Sequence, residues 1–339
     1  MRALFIGGTG TISSAVSALT VKNGFELYLL NRGNNVSLVP ENANVIIADI
    51  NNETEVKKAL EGLTFDVVAD FIAFDVANVE RDYRLFKDIT RQYIYISSAS
   101  AYQKPLSIPF ITESTPLSNP FWKYSRDKIA CEEFLMAKYR EDGFPITVIR
   151  PSHTYGDTSV PVAVHGKNGC FSALERIRKG KKVIVHGDGS SLWTLTHNTD
   201  FAKAFVGIMG NIHAIGETYH ITSDESLTWN QIHEIIGSAL GVKTEIVHIP
   251  TDVLAILSAD FKGSLLGDKS NSVLFDNTKI KNAVPDFKAT TRFDQGVRQS
   301  LNYIYAHKEC QKEDPVFDAW CDKITELYEG CTSKLPIYE

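Results

Sequence analysis

Hydrophobic and polar positions follow two alternating rhythms along the first 150 residues. Short apolar runs rich in β-branched side chains at 3–7, 26–31, 44–48, 66–71, 92–97 and 146–150 predict strands. Between them, apolar residues recur at helical spacing over 11–22, 53–60, 79–89 and 124–139. Strands alternating with helices are joined by right-handed crossovers, so the pattern predicts a doubly wound α/β fold, a parallel sheet covered on both faces. In Val67-Val68-Ala69 and Tyr93-Ile94-Tyr95-Ile96 the side chains stay apolar without alternation, as strands buried on two faces require.

Past Pro151 the rhythm loosens into a stretch rich in Gly, Pro and His that runs to Gly169. Patterns for a helix at 171–179, a strand at 182–186 and the turn Gly187-Asp188-Gly189 follow. A helix at 199–209 and a strand at 218–222 return to the sheet, whereas 229–240 and the chain beyond Asp252 predict a smaller, mostly helical lobe. The expected division is 1–157 with 195–223 for the sheet domain, and 158–194 with 224–339 for a discontinuous substrate-binding lobe.

The 339 residues suffice for two such domains, and 43% hydrophobic with 22% charged residues is the composition of a folded chain. Lys plus Arg total 35 against 41 Asp plus Glu, a formal charge of −6, which argues against a protein that coats a polyanion. The cysteines Cys131, Cys170, Cys310, Cys321 and Cys331 form no CxxC pair, so neither a disulfide framework nor a bound metal is expected. The apolar run that opens the chain stops at Gly7, and no later run approaches ~18 apolar residues, which gives the expectation of a cytoplasmic protein without membrane contact.

The segment Gly7-Gly8-Thr9-Gly10-Thr11-Ile12-Ser13 lies where the first strand gives way to the first helix. Glycine at 7 permits the tight turn, and glycine at 10 lets a pyrophosphate approach the helix N-terminus, whose unpaired N–H groups favour negative charge. A third glycine is missing, and Ser13 takes its place. The βαβ rhythm that follows favours a dinucleotide site over a plain βα turn. The second strand ends Leu30-Asn31-Arg32-Gly33, without the carboxylate that usually bonds a ribose 2′-hydroxyl; Arg32 suits a 2′-phosphate, which favours NADP over NAD, or else simply faces solvent. Asp49 and Ile50, after the third strand, are placed to meet the adenine ring, or else Asp49 is a carboxylate leading into the next helix.

Ser97-Ser98 closes the fifth strand, and Tyr124-Ser125-Arg126-Asp127-Lys128 opens the fourth helix. Residues four apart share a helix face, so the Lys128 ammonium sits beside the Tyr124 phenol and stabilises its phenolate. A tyrosine acid/base needs that help, because an unperturbed phenol titrates near ~10.

With these features the chain resembles the extended short-chain dehydrogenase/reductases, the NAD(P)-dependent epimerase/dehydratase family. The resemblance rests on GGTGTIS from Gly7, Asp49, Phe71-Ile72-Ala73, Ser97-Ser98-Ala99-Ser100-Ala101-Tyr102, YSRDK from Tyr124 and Arg150-Pro151-Ser152-His153-Thr154-Tyr155-Gly156. Weaker signatures lie at Gly187-Asp188-Gly189, His197-Asn198-Thr199-Asp200 and Tyr219-His220-Ile221. It implies a Rossmann domain in which Gly7, Gly10, Thr11, Ile12, Arg32, Asp49, Ile50, Phe71, Ala73, Lys128 and Pro151 hold NADP or NAD. It also implies that Ser98 bonds the reacting oxygen, Tyr124 moves its proton, and Lys128 holds the nicotinamide ribose while lowering the tyrosine pKa. His153 would meet the substrate, a small molecule such as a sugar derivative. A homodimer through the helices at 79–89 and 124–139 is the oligomer it implies.

Two departures bear on the substrate. Relatives acting on nucleoside-diphosphate sugars usually carry an arginine shortly after the GDG turn, whereas this chain has Trp193, a ring that either packs within the small lobe or stacks on a base or sugar and in neither case neutralises a diphosphate. A dehydratase also wants a carboxylate pair beside the serine, and Ala99-Ser100 offers none, so reduction or epimerisation is the expected chemistry. A competing reading comes from Gly267-Asp268-Lys269 and the segment 272–279, which resemble the chloroplast stem-loop-binding subgroup, described as RNA-associated. Its best local feature is the run Arg176-Ile177-Arg178-Lys179-Gly180-Lys181-Lys182, yet cations also gather at helix C-termini to oppose the macrodipole. With the net charge of −6, the expectation is a partner that is a small molecule and not a nucleic acid.

Overall fold

A computed structural model describes residues 1–34 and 38–336, so the last residues of the expected lobe, 337–339, lie outside the described residues. In chain order the elements are β1 (Arg2–Ile6), α1 (Ser13–Lys22), β2 (Glu26–Asn31), β3 (Asn44–Ile47), α2 (Glu53–Ala59), β4 (Val67–Asp70), α3 (Val76–Phe86), β5 (Tyr93–Ile96), β6 (Phe110–Ile111), α4 (Lys123–Asp142), β7 (Ile146–Pro151) and β8 (His153–Tyr155). There follow α5 (Phe171–Arg178), β9 (Val183–His186), β10 (Leu192–His197), α6 (Asn198–Ile208), β11 (Thr218–Ile221), β12 (Ser226–Thr228), α7 (Trp229–Leu240) and β13 (Ile246–Ile249). The chain ends with α8 (Thr251–Leu257), α9 (Ala259–Phe261), a π-helical stretch Lys262–Lys269, β14 (Leu274–Phe275), α10 (Thr278–Ala283), α11 (Phe293–Ala306) and α12 (Pro315–Thr332).

The chain divides into two compact units. The first comprises Met1–Thr154, Thr196–Asp224 and Phe275–Thr290; the second comprises Tyr155–Leu195, Glu225–Leu274 and Thr291–Glu339. In the first, seven strands form one sheet in the order β11-β7-β5-β4-β1-β2-β3, every neighbouring pair parallel. This is the doubly wound sheet of the Rossmann type. Chain order reverses at β1 and β4, and the crevice outside their carboxyl ends is where such sheets bind ligands. β1 shows why the strands read as unbroken apolar runs. Ala3 and Phe5 point into a core with Val16, Leu29 and Phe205, while Leu4 and Ile6 point to the opposite face with Val56, Val68, Phe86 and Leu135.

The second unit is mostly helical, as the pattern predicts, with short strands beyond the expected one at 182–186. β9 and β13 pair in parallel, and β10 pairs antiparallel with β12 through Leu192–Thr228, Trp193–Leu227 and Thr194–Ser226. The segment 275–290, which the pattern along the chain places in the lobe, packs with the first unit instead: Ile280 of α10 is fully buried in the core that holds Phe205 and Phe201.

Candidate functional site

The turn after β1 is shaped by three glycines that do different work. Gly7 has φ of +80°, and a Cβ there would fall 2.5 Å from Ile72 Cγ2. A Cβ on Gly8 would meet Leu29 Cδ2 at 2.4 Å, so Gly8 lets α1 settle against β2. At Gly10 the nearest atom to a Cβ is Ser13 Oγ at 3.4 Å, leaving open space beside the helix start. Ser13, where a third glycine was missed, fastens the loop: its hydroxyl donates to Gly7 O (2.7 Å) and accepts from Gly10 N–H (2.8 Å). The amides of Thr11 and Ile12 have no protein acceptor among the described residues, as the first turn of a helix leaves them. Open space at Gly10 with free amides on the helix start fits a dinucleotide pyrophosphate.

The other groove residues come from the carboxyl ends of neighbouring strands. Arg32, after β2, is exposed, and Asn31 Oδ1 accepts from Gly33 N at 2.8 Å to close that turn. Asp49 Oδ1 accepts from Asn51 N (3.0 Å) and Nδ2 (3.1 Å), shaping the loop after β3. Ile50 is 6% exposed and its side chain lies in the core, so only its main chain remains for a ligand. After β4, the Phe71 ring packs edge-on against Phe5 at 5.5 Å and lies 5.4 Å from Phe205, and Ala73 is buried. The apolar side chains of that loop most exposed to solvent are Ile72 (40% exposed) and Phe74 (50%). Sequence reasoning had the loop but not these two, although their alternation with Phe71 and Ala73 was the available signal. Pro151 is buried at the end of β7, paired in register with Ile221, and His153 is half-buried on β8.

Tyr124 and Lys128 share one face of α4, the Lys128 Nζ lying 5.8 Å from the Tyr124 ring centre. Lys128 is buried. Its ammonium donates to Ala73 O (2.7 Å) and Ile96 O (2.8 Å), tying the loop after β4 to the end of β5, and stands 4.7 Å and 5.0 Å from the rings of Phe74 and Tyr95. Burial lowers its pKa to about 8, with Cys131, Asp70 and Glu132 opposing the shift.

Ser98, half-buried after β5, belongs to a chain of hydroxyls that includes two serines the sequence reading did not single out. Ser125 Oγ, buried one residue after Tyr124, donates to Ser100 Oγ at 2.8 Å; Ser100 and Ser98 hydroxyls are 2.9 Å apart, and Ser98 Oγ also accepts from Ser100 N at 3.2 Å. Ser100 accepts from Ser125 and shares one hydrogen bond with Ser98 in which either hydroxyl can be the donor, so the chain runs from the buried helix face out to Ser98. Behind this chain, Ser97 Oγ donates to Glu132, which pairs with Arg150 through Nε (2.9 Å) and Nη2, and the guanidinium covers the Tyr102 ring at 4.8 Å. The buried pair joins α4 to β7 and so fixes the helix that carries Tyr124 and Lys128.

Trp193 lies on β10 in the second unit, 3% exposed, its ring 5.5 Å from that of Trp229. In the same unit, Arg176, Arg178, Lys179, Lys181 and Lys182 are each within 3.3 Å of a carboxylate, supplied by Glu175, Asp318, Asp322 and Glu329.

Comparison with known proteins agrees with this architecture. Residues 3–222 match the NAD dependent epimerase/dehydratase family. A UDP-glucose 4-epimerase from Lactobacillus helveticus is 28% identical over 307 residues, covering 83% of this chain and 90% of that protein. The chloroplast stem-loop binding protein of 41 kDa b from Arabidopsis thaliana is 28% identical over 259 residues, 72% of this chain, and the match spans 65% of that protein's own length. Among solved structures, dTDP-glucose 4,6-dehydratase from Bacillus anthracis in complex with NAD superposes with a TM-score of 0.74 at 21% identity, covering 91% of this chain and 98% of that one. UDP-glucuronic acid 4-epimerase from Bacillus cereus, in complex with UDP-glucuronic acid and NAD, gives 0.72 at 18%, covering 90% and 99%. A glycine turn opening on a free helix start, a YxxxK pair on α4 and a family match over residues 3–222 lead to one assignment: the chain belongs to the NAD-dependent epimerase/dehydratase family.

Proposed function

We propose that this protein binds NAD(P) across the carboxyl ends of β1, β4 and β5 and carries out reduction or epimerisation at a carbonyl or hydroxyl carbon of a small molecule, with Ser98, Tyr124 and Lys128 handling the proton. The observation that carries the reading is Lys128. A buried ammonium held by two main-chain carbonyls carries a desolvation cost that by itself assigns no function, since Lys269 is held in the same way; what marks Lys128 is its neighbour. Here it lies beside a phenol on the same helix face, where a cation favours the phenolate. Bound NAD(P) would supply hydride transfer. Gly10, Thr11 and Ile12 would receive its pyrophosphate and Asp49 its adenosine end, while Arg32 in place of a carboxylate favours the 2′-phosphate of NADP. Ser98, held at the end of the Ser125–Ser100 hydroxyl chain, would bond the reacting oxygen, and Tyr124 would exchange a proton with it.

The substrate class follows from Trp193. The position shortly after the GDG turn, where the family resemblance implies an arginine, holds an indole packed on Trp229 that supplies no charged donor, and this departure favours a neutral or singly charged carbonyl compound over a nucleoside-diphosphate sugar. A second reading, an RNA-associated protein, draws on the stem-loop-binding relative. Its basic run meets carboxylates at every cation, which leaves that run little unbalanced charge for a phosphate backbone. Calorimetric titration with NADPH and with NADH tests the proposal. Binding in the micromolar range supports it, and no heat from either at millimolar concentration overturns it.

A further inference from the structure

Arg81 reads as a surface charge among Glu80, Asp82 and Arg84, but it is 6% exposed and its guanidinium occupies the centre of a buried cluster behind the groove. Nε and Nη2 donate to Asp82 Oδ1 at 2.9 and 2.7 Å, and Nη2 also reaches Asp70 Oδ2 at 3.3 Å. Nη1 donates to Asn51 Oδ1 at 2.8 Å. Each partner continues outward. Asp70 Oδ1 accepts from Ile72 N at 2.5 Å, and Ile72 is the side chain pressed against Gly7. Asn51 holds Asp49 through its own N and Nδ2. Asp82 Oδ2 accepts from Tyr93 OH at 2.6 Å, anchoring the cluster to β5.

One guanidinium therefore joins the loop after β3, the loop after β4 and, through Ile72, the glycine turn. Two carboxylates and one cation withdrawn from water are a costly way to attach a helix, since apolar residues of similar volume do as well or better. What apolar packing cannot do is fix the main-chain path of two loops at once through directed bonds. We propose that Arg81 is a positioning residue for the cofactor: it presets the loops after β3 and β4 in the spacing that receives the adenosine half of NAD(P), so that binding does not have to order them. The inference rests on the proposed cofactor reading.

Asn51 separates this role from folding. It is exposed, and its amide is the outer arm of the strut, so Asn51→Ala cuts the link from Arg81 and the Nδ2 bond to Asp49 while the buried Arg81, Asp70, Asp82 and Tyr93 contacts stay intact. The test titrates NADPH and NADH into wild type, Asn51→Ala, Arg81→Lys and the double variant, with thermal melts alongside. Asn51→Ala is expected to weaken the tighter cofactor by about 10- to 100-fold, the scale of one lost bond to a charged group, with a melting temperature within ~2 °C of wild type. If Asn51 acts through Arg81, the double variant binds no worse than Arg81→Lys alone. Should Arg81→Lys fail to fold, Asn51→Asp takes its place: it keeps an acceptor for Arg81 Nη1 and loses the amide that bonds Asp49, so affinity nearer to wild type than that of Asn51→Ala supports the strut and affinity no better overturns it. Wild-type affinity in Asn51→Ala overturns the strut, as does a loss of affinity that comes with a melting temperature lowered by more than ~5 °C, which assigns the bond to folding. A wild type that binds neither cofactor defeats the underlying function and not the strut's geometry, so the two failures are told apart.

Discussion

Replacing Gly7 and Gly10 separately by alanine should divide the glycine turn into a folding position and a binding position. At Gly7, φ is +80°, a conformation that costs a residue with a Cβ about 1–2 kcal/mol. The new methyl also falls 2.5 Å from Ile72 Cγ2, which must move away and loosen the loop after β4. Together these predict a destabilisation of about 2 kcal/mol, seen as a melting temperature lower by about 4–8 °C. At Gly10 the backbone is outside the left-handed region and the nearest atom to the methyl is 3.4 Å away, so Gly10→Ala should melt within ~2 °C of wild type. The same methyl fills the space where the pyrophosphate would approach, and overpacking of about 2 kcal/mol there corresponds to a loss of affinity of roughly 30-fold. Thermal melts and NADPH titration on the two variants read both quantities. Wild-type affinity in Gly10→Ala would refute the placement of the cofactor at this turn, and an unperturbed melt in Gly7→Ala would refute the strain argument.

Four further outcomes are expected. Tyr124→Phe should lower turnover of any substrate by at least ~100-fold, the scale of a positioned acid/base, with NADPH affinity nearly unchanged; an unaltered rate in a stopped-flow assay removes the phenol from the mechanism. Arg32→Ala should reduce NADPH affinity several-fold more than NADH affinity, and equal losses in paired titrations defeat the 2′-phosphate assignment. Burial holds Lys128 and, in the second unit, Lys269 at about 8, below the ordinary lysine value, so the unfolded chain binds more protons than the folded one between pH 8 and about 10. Stability from these groups should therefore rise with pH across that window in urea unfolding series, and Lys269→Met, which also removes bonds to Val162 O and Ala163 O, should flatten the slope. In a thermal-shift panel with NADPH present, neutral or singly charged carbonyl compounds should stabilise more than UDP-, GDP- or dTDP-sugars; a nucleoside-diphosphate sugar that both stabilises best and is turned over refutes the argument from Trp193.

The parts of this molecule that were legible in the sequence are those decided by neighbours along the chain. Strands buried on two faces announce themselves as apolar runs, and the six expected for the first 150 residues appear within one or two residues of their observed ends. The third helix shows where periodicity stops being informative. Apolar spacing predicts 79–89, but the helix runs Val76–Phe86 because Asp75 caps it, its carboxylate accepting from Asn78 N at 3.0 Å. A capping pair sets a boundary that hydrophobic spacing cannot see.

What stayed hidden depends on pairs far apart in sequence. Arg81 and Asn51 are 30 positions apart, Ser125 and Ser100 are 25, and nothing near either member distinguishes a buried positioning group from a surface one. The same holds for Ile280, whose short helix looks like part of the lobe until Phe205 supplies the core it fills. These hidden pairs share a physical character: each is polar or apolar matter placed where only the assembled sheet gives it a partner. Local pattern can therefore name the residues at strand ends, such as Ser98 and Asp49, because the fold fixes strand ends. It cannot name the residues that hold those ends in place. A support of this kind can replace a motif residue and still keep the geometry of the turn. Ser13 in place of a third glycine is the instance in this chain: the motif is broken on paper, yet the hydroxyl bonds both Gly7 O and Gly10 N and closes the turn that the glycine spacing would otherwise leave looser.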